Sequence, residues 1–253
     1  MEPIKTDLGK LFNTDALEFI KTIADNSIDL ILTDPPYLYE MTEKNIRNTN
    51  LEQMSEVEYR KRKNQNDLIN NNIHKSIDIK AYCDEFLRIS KNNFMLIWMN
   101  SHQIKEYLDW VYSKKLKFNF YIWEKTNPMP LNTFVYQDKE YCMIIYDNKK
   151  RIPNYLNNYQ HKKTILKYPI GQETNGHPTV KPLKMIKFLI EKHSKPNDLI
   201  LDPFMGSGTT ALACEQLTRQ WLGTELNTQF FAICNERLTY VQRELIFNFE
   251  SEN

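Results

Sequence analysis

Apolar residues along this chain gather into short unbroken runs rather than strict alternation. Six stand out: "IDLILTD" (28–34), "NFMLIWM" (93–99), "FNFYIWEK" (118–125), "EYCMIIYD" (140–147), "DLILDPF" (198–204) and "WLGTEL" (221–226). A strand covered on both faces has no side to give to water, so runs of this length predict buried parallel strands. Between most of them the apolar period lengthens to that of a helix. Tyr82, Phe86 and Ile89 share one helical face, and so do Leu183, Ile186 and Ile190 behind Pro182, a residue suited to a first turn. A longer helix is predicted over 228–245, with Phe231, Leu238, Val241 and Leu245 on a largely apolar side. Strands alternating with helices predict an α/β fold, Rossmann-like, with a doubly wound and mostly parallel sheet.

Two segments break the rhythm. Residues 39–76 are polar, Asn-rich and free of Gly and Pro, and they carry the basic run Arg60, Lys61, Arg62, Lys63. Residues 126–176 hold Asn127-Pro128-Met129-Pro130 and the scattered cations Lys149, Lys150, Arg151, Lys162 and Lys163. Both are expected to be insertions on a single domain covering 1–253, since long loops in compact domains are either disordered or functional.

Composition narrows the possibilities. With 253 residues and 41% hydrophobic content a sizeable core is assured. The net charge of +1 removes any global basic signature, so contact with nucleic acid would depend on a local patch. Cys83, Cys142, Cys214 and Cys234 are scattered without a C-x-x-C pair, which argues against a zinc site or a disulfide framework. Reduced, buried thiols and no metal are expected. No N-terminal apolar segment is present, and a soluble, cytoplasmic protein without membrane contact is expected.

Two stretches carry chemistry. In "ILTDPPY" (31–37) an apolar run meets Asp34, Pro35, Pro36 and Tyr37. Neither proline can donate to a sheet ladder, so the backbone is fixed where the strand ends. In "LILDPFMGSGTTALA" (199–213) a strand enters a glycine turn and then a helix. Gly206 and Gly208 permit a tight turn and close approach of a ligand, and Thr209 and Thr210 open the helix. A Walker loop would need Lys before its Ser/Thr, which is missing here, so triphosphate hydrolysis is not expected. Glu225 follows at the end of the next strand, where doubly wound sheets place an acid on ribose hydroxyls. Glycine turn and acid together point to a nucleoside-bearing cofactor.

These residues resemble a known family. "DPPY" (34–37) with "DPFMGSGTT" (202–210) is similar to the amino-group DNA methyltransferases that use S-adenosylmethionine. The order, with the catalytic motif before the cofactor motif, resembles their circularly permuted β group. "HPTVKPL" (177–183) resembles the segment these enzymes place beside the methionine part of the cofactor. "NTDALEFIKTIADNSIDLILTDPPY" (13–37) also looks like that group, with Asp15 in the place of an acid near the adenine. "WEKTNPMP" (123–130) resembles adenine-specific members with small recognition regions. The likeness covers most of the chain outside 39–76 and about 150–175.

What the resemblance implies is specific. Asp34, Pro35, Pro36 and Tyr37 would be catalytic. The cofactor would meet Asp15, His177, Thr179, Lys181, Pro182 and Glu225. From the glycine turn it would meet Asp202, Pro203, Phe204, Gly206, Ser207, Gly208, Thr209 and Thr210. Arg60, Lys61, Arg62 and Lys63, in a variable loop over 39–76, would contact DNA phosphates, and a small target-recognition region of about 126–176 would carry base readout within 149–167. The permuted order also requires a strand beyond the one before Glu225, which "KLFNTD" (10–15) can supply, bringing Asp15, Asp34, Asp202 and Glu225 to one rim. The implied reaction is methylation of adenine N6 in DNA by base flipping and direct transfer, releasing S-adenosylhomocysteine. Alternatives are cytosine N4, an RNA or protein substrate, and a silent DNA-binding subunit. A restriction endonuclease partner is compatible with the family. The oligomeric state and the target sequence are not encoded in any motif.

Overall fold

The computed structural model describes residues 2–36, 77–128, 137–150, 152–156, 159–171 and 180–251, with side chains omitted at 159–160 and 241–251. The described residues build one nine-stranded sheet. The strands are β1 (Ile4–Lys5), β2 (Gly9–Phe12), β3 (Leu30–Thr33), β4 (Met95–Met99), β5 (Lys117–Lys125), β6 (Lys139–Tyr146), β7 (Ile165–Tyr168), β8 (Leu199–Asp202) and β9 (Gln220–Thr224). The helices are α1 (Ala16–Lys21), α2 (Ile79–Ile89), α3 (Ile104–Ser113), α4 (Leu183–His193), α5 (Thr209–Leu217) and α6 (Thr228–Ser251).

The unbroken apolar runs behave as doubly buried strands. In β3, Leu30 and Leu32 face a core shared with α4, α5 and α6, while Ile31 faces a second core shared with α1, α2 and α3. In β4, Leu96 and Trp98 point to the first core, and Met95, Ile97 and Met99 to the second. The two-residue strand period thus distributes one apolar run over both faces, giving three layers. Trp98, Trp110, Trp123 and Trp221 are all buried in the two cores. The four cysteines are free and buried. No helix among the described residues is long and apolar enough to cross a membrane.

The strand order is β1-β2-β9-β8-β3-β4-β6-β5-β7. Strand β2, from the start of the chain, lies parallel against β9, from its end, with Leu11 opposite Gly223. The pairs β9–β8, β8–β3 and β3–β4 are also parallel. The carboxyl ends of β2, β9, β8, β3 and β4 therefore share one rim.

The structure corrects the sequence reading at the other half of the sheet. The runs at 118–125 and 140–147 were expected as parallel strands, but β6 runs antiparallel to both β4 and β5. Burial of a strand on both faces fixes its apolar run and not its direction. Two strands carry no recognisable run. β1 has two residues, and β7 pairs parallel to β5 while burying only Leu166. Reversal of β6 has a consequence for chemistry: its first residues, rather than its last, lie at the rim, because Met99 at the end of β4 sits opposite Tyr141.

Candidate functional site

The rim is organised around Asp202, the last residue of β8. Its Oδ1 accepts from Thr33 Oγ1 at 2.8 Å and from the Phe204 amide at 3.1 Å. Its Oδ2 accepts from Thr210 Oγ1 at 2.6 Å. One buried carboxylate thus ties the end of β3, the glycine turn and the first turn of α5 into a unit. Burial pushes this carboxyl up to about 6, against the pull of those hydrogen bonds. The negative charge of Asp34 pushes in the same direction as burial, so the two acids feel each other.

The glycine turn bends through left-handed backbone at Gly206 (φ 54°) and Gly208 (φ 86°). At Gly208 a side chain is excluded twice, since a Cβ would lie 2.4 Å from Cys234 Sγ of α6. Arg237 of α6 holds the turn from outside: its Nη1 donates to the Ser207 carbonyl at 2.6 Å and to Ser207 Oγ at 2.9 Å.

Glu225 stands one residue beyond β9. Its Oε2 accepts from the Gly206 amide and its Oε1 from the Asn227 amide, each at 2.8 Å. The acid and the glycine turn, read separately in the sequence, are bonded to each other. Burial pushes the Glu225 carboxyl up to about 7, although those amides stabilise its charge. Asn13, beyond β2, fixes the same corner by donating to the carbonyls of Glu225 (2.7 Å) and Leu226 (3.1 Å). Asp15 caps α1 through the Glu18 amide at 3.1 Å.

Asp34 follows β3 directly, two strands from Glu225. Its Oδ2 accepts from Lys181 Nζ at 2.5 Å, and Lys181 also reaches Glu140 Oε2 at 3.1 Å. Pro35 is buried, and the Pro36 carbonyl accepts from Gln103 Nε2 at 3.3 Å. A preorganised carboxylate and a braced proline pair therefore stand on the same sheet rim as two further acids, Asp202 and Glu225. That set suits a ligand with a positive centre and hydroxyl donors.

A family model described as "DNA methylase", covering N6 and N4 amino methyltransferases, matches residues 28–236. The chain belongs to this family. The type II methyltransferase M2.MboI of Moraxella bovis is 31% identical over 243 residues, which is 90% of this chain and 86% of that protein. The type II methyltransferase M.HinfI of Haemophilus influenzae is 28% identical, over 95% of this chain and 71% of that protein. Among solved structures, the M1.HpyAVI–SAM complex superposes with a TM-score of 0.66 at 27% identity, over 91% of this chain and 99% of that one. The PvuII cytosine-N4-specific enzyme matches in fold, with a TM-score of 0.69 at 16% identity. The chain is an S-adenosylmethionine-dependent DNA methyltransferase of class I fold.

Within this methylase, the expected residues Asp15, Asp34, Asp202 and Glu225 follow or end four adjacent parallel strands. Pro203 takes part through its carbonyl, which accepts from Thr224 Oγ1 at 2.5 Å. Phe204 packs its ring 5.2 Å from that of Tyr82. Pro182 begins α4. Lys181, expected beside the cofactor, has its ammonium on Asp34 and Glu140. Tyr37, His177, Thr179 and the run Arg60–Lys63 lie outside the described residues.

Sequence reasoning missed Thr33, Asn13, Gln103, Glu140 and Arg237. Thr33 left a trace, as a polar residue buried at the end of an apolar run. The others pair across large sequence separations, and no local pattern marks them.

Proposed function

We propose that this methyltransferase modifies the N6 amino group of adenine in DNA. The observation that carries the reading is the placement of the Asp34-Pro35-Pro36 strand end on the same rim as the Gly206–Glu225 corner. An exocyclic amine is a poor nucleophile because its lone pair is delocalised into the ring. Acceptors aimed at its protons draw it toward tetrahedral geometry. The Asp34 carboxylate and the Pro35 carbonyl take that role, and proline rigidity removes the cost of ordering them at each turnover. Tyr37 stacks on the extruded base. When bound, S-adenosylmethionine supplies an electrophilic methyl group on a sulfonium. Attack of the amine nitrogen on that methyl carbon would release S-adenosylhomocysteine as the carbon–sulfur bond breaks, and the Asp34 carboxylate is placed to accept the proton that the nitrogen sheds. The DPPY form of the motif and the "NPMP" segment favour adenine over cytosine N4.

Transfer of labelled methyl groups to unmodified DNA, followed by digestion to nucleosides, tests this. Label is expected in N6-methyladenine. Label in N4-methylcytosine supports the second reading, which the same amine-acceptor geometry permits. Arg60, Lys61, Arg62 and Lys63 are proposed to contact phosphates, and the 149–167 region to read bases. Replacing the four cations with Ala is expected to weaken DNA binding across all sequences and to flatten its salt dependence, measured by titration between low and moderate salt. A restriction endonuclease partner is also proposed, and co-occurrence of a nuclease cutting the methylated site is the corresponding check.

Glu225 is proposed to hold the ribose hydroxyls. Hydroxyl donors favour its ionised form, so cofactor binding lowers its pKa from about 7 and releases a proton. Affinity for the cofactor therefore rises with pH through that value, by about tenfold between pH 6 and 8 for a single site. Calorimetry across this range is expected to show the rise in wild type and a flattened profile in Glu225→Gln. Asp202, whose carboxyl is raised to about 6, titrates at the lower edge of this window, and the comparison with Glu225→Gln separates the two acids.

A further inference from the structure

The rim holds a row of charges that alternate in sign. Lys125 Nζ at the end of β5 meets Glu140 Oε1 at 2.8 Å, Glu140 Oε2 meets Lys181 Nζ at 3.1 Å, and Lys181 meets Asp34 Oδ2 at 2.5 Å. The row crosses the top of β4, where Lys181 lies 5.3 Å from the centre of the Trp98 ring. Reversal of β6 is what brings Glu140 here, because Glu140 pairs with Trp123 near the rim end of β5. The side chains of Lys125, Glu140 and Lys181 are only 15%, 19% and 8% exposed, against 28% for Asp34 at the open end. Burial disfavours the charge on Lys181, yet Asp34 and Glu140 outweigh it and raise its pKa. Burial likewise works against Glu140, yet Lys181 and Lys125 hold its carboxyl below the ordinary range. Lys181 and Glu140 are therefore each held in the charged form by their partners.

This creates a conflict at Asp34. A buried ammonium bound to one carboxylate alone would occupy the acceptor that the substrate amine needs. We infer that Glu140 is a positioning residue that divides the Lys181 ammonium between two carboxylates, leaving Asp34 charged yet available to the amine. The inference rests on the reading of Asp34 as amine acceptor. With Glu140 made neutral, Lys181 is drawn onto Asp34 alone. Its ammonium then competes with the substrate amine, while the glycine turn and Glu225 are untouched.

The test is a double-mutant cycle in the full chain, comparing wild type, Glu140→Gln, Asp34→Asn and the combination. Turnover is read by methyl transfer and cofactor affinity by calorimetry. Glu140→Gln is expected to lower kcat at least tenfold while the cofactor Kd stays within twofold. The double variant is expected to lose no more than Asp34→Asn alone, and Glu140→Asp to recover part of the rate. Should Glu140→Gln fail to fold by thermal melting, the same cycle with Glu140→Asp applies, with an intermediate loss and the same non-additivity. Wild-type turnover in the Glu140 variant, or losses that simply multiply with Asp34→Asn, would overturn the inference alone. Full activity in Asp34→Asn would overturn the acceptor reading and the inference with it.

Discussion

Asp34→Ala is expected to lower turnover by about 10²–10³-fold or more, the range lost when one preorganised polar partner of a reacting group is removed. Cofactor affinity is expected to change by less than threefold. The reason lies in the division of labour along the rim. Asp34 belongs to β3 and contacts Lys181, whereas the glycine turn is held by Glu225, Asp202 and Arg237. Lys181 keeps Glu140 as an ion-pair partner when Asp34 is removed, so its charge is not stranded in the interior. Single-turnover transfer measures the first quantity and calorimetry with S-adenosylhomocysteine the second. Wild-type turnover in Asp34→Ala would remove the acceptor mechanism.

Gly208→Ala is the second change with a large expected effect. It places a side chain at φ 86°, in left-handed backbone, and sets a Cβ 2.4 Å from Cys234 Sγ. Left-handed backbone costs about 1–2 kcal/mol for a residue with a Cβ, and relief of the contact must move the turn or α6. For a chain of this size, 1 kcal/mol corresponds to a fall in Tm of about 2–4 °C. A drop of at least several degrees and a cofactor affinity weakened more than tenfold are expected. Adding Cys234→Gly should recover part of the stability, because it removes the contact and leaves the backbone strain. Thermal melts and calorimetry on the single and double variants check both parts. Gly208→Ala with wild-type affinity would mean that the turn does not shape the cofactor site.

The strands bearing the site were legible because each combined a buried apolar run with a chemical end. β3 closes on Asp34-Pro35-Pro36, β8 on Asp202 and β9 on Glu225. Proximity of Glu225 to the glycine turn followed from the pattern of doubly wound sheets, and the 2.8 Å bond to the Gly206 amide makes it literal. Strand direction was not legible at β6, since Cys142, Met143, Ile144 and Ile145 would be buried in either sense. β7 was hidden because an edge strand that buries only Leu166 needs no run. Polar bracing was hidden for another reason. Thr33 and Asp202 are far apart in the chain, as are Glu140 and Lys181, and the identity of a buried partner is set by the fold rather than by neighbouring residues. Lys181 shows the difference: its motif gives no sign that its side chain bridges Asp34 and Glu140.

The proposed reaction requires that the cofactor's reactive sulfur and the target amine meet between Glu225 and Asp34. A crystal structure with S-adenosylhomocysteine and an adenine-containing duplex measures it. The expected result is ribose hydroxyls on the Glu225 carboxylate, the sulfur facing the Asp34 side, and the adenine N6 within about 2.6–3.2 Å of an Asp34 oxygen. A cofactor sulfur opening away from Asp34, or a target base held at another edge of the sheet, would contradict it.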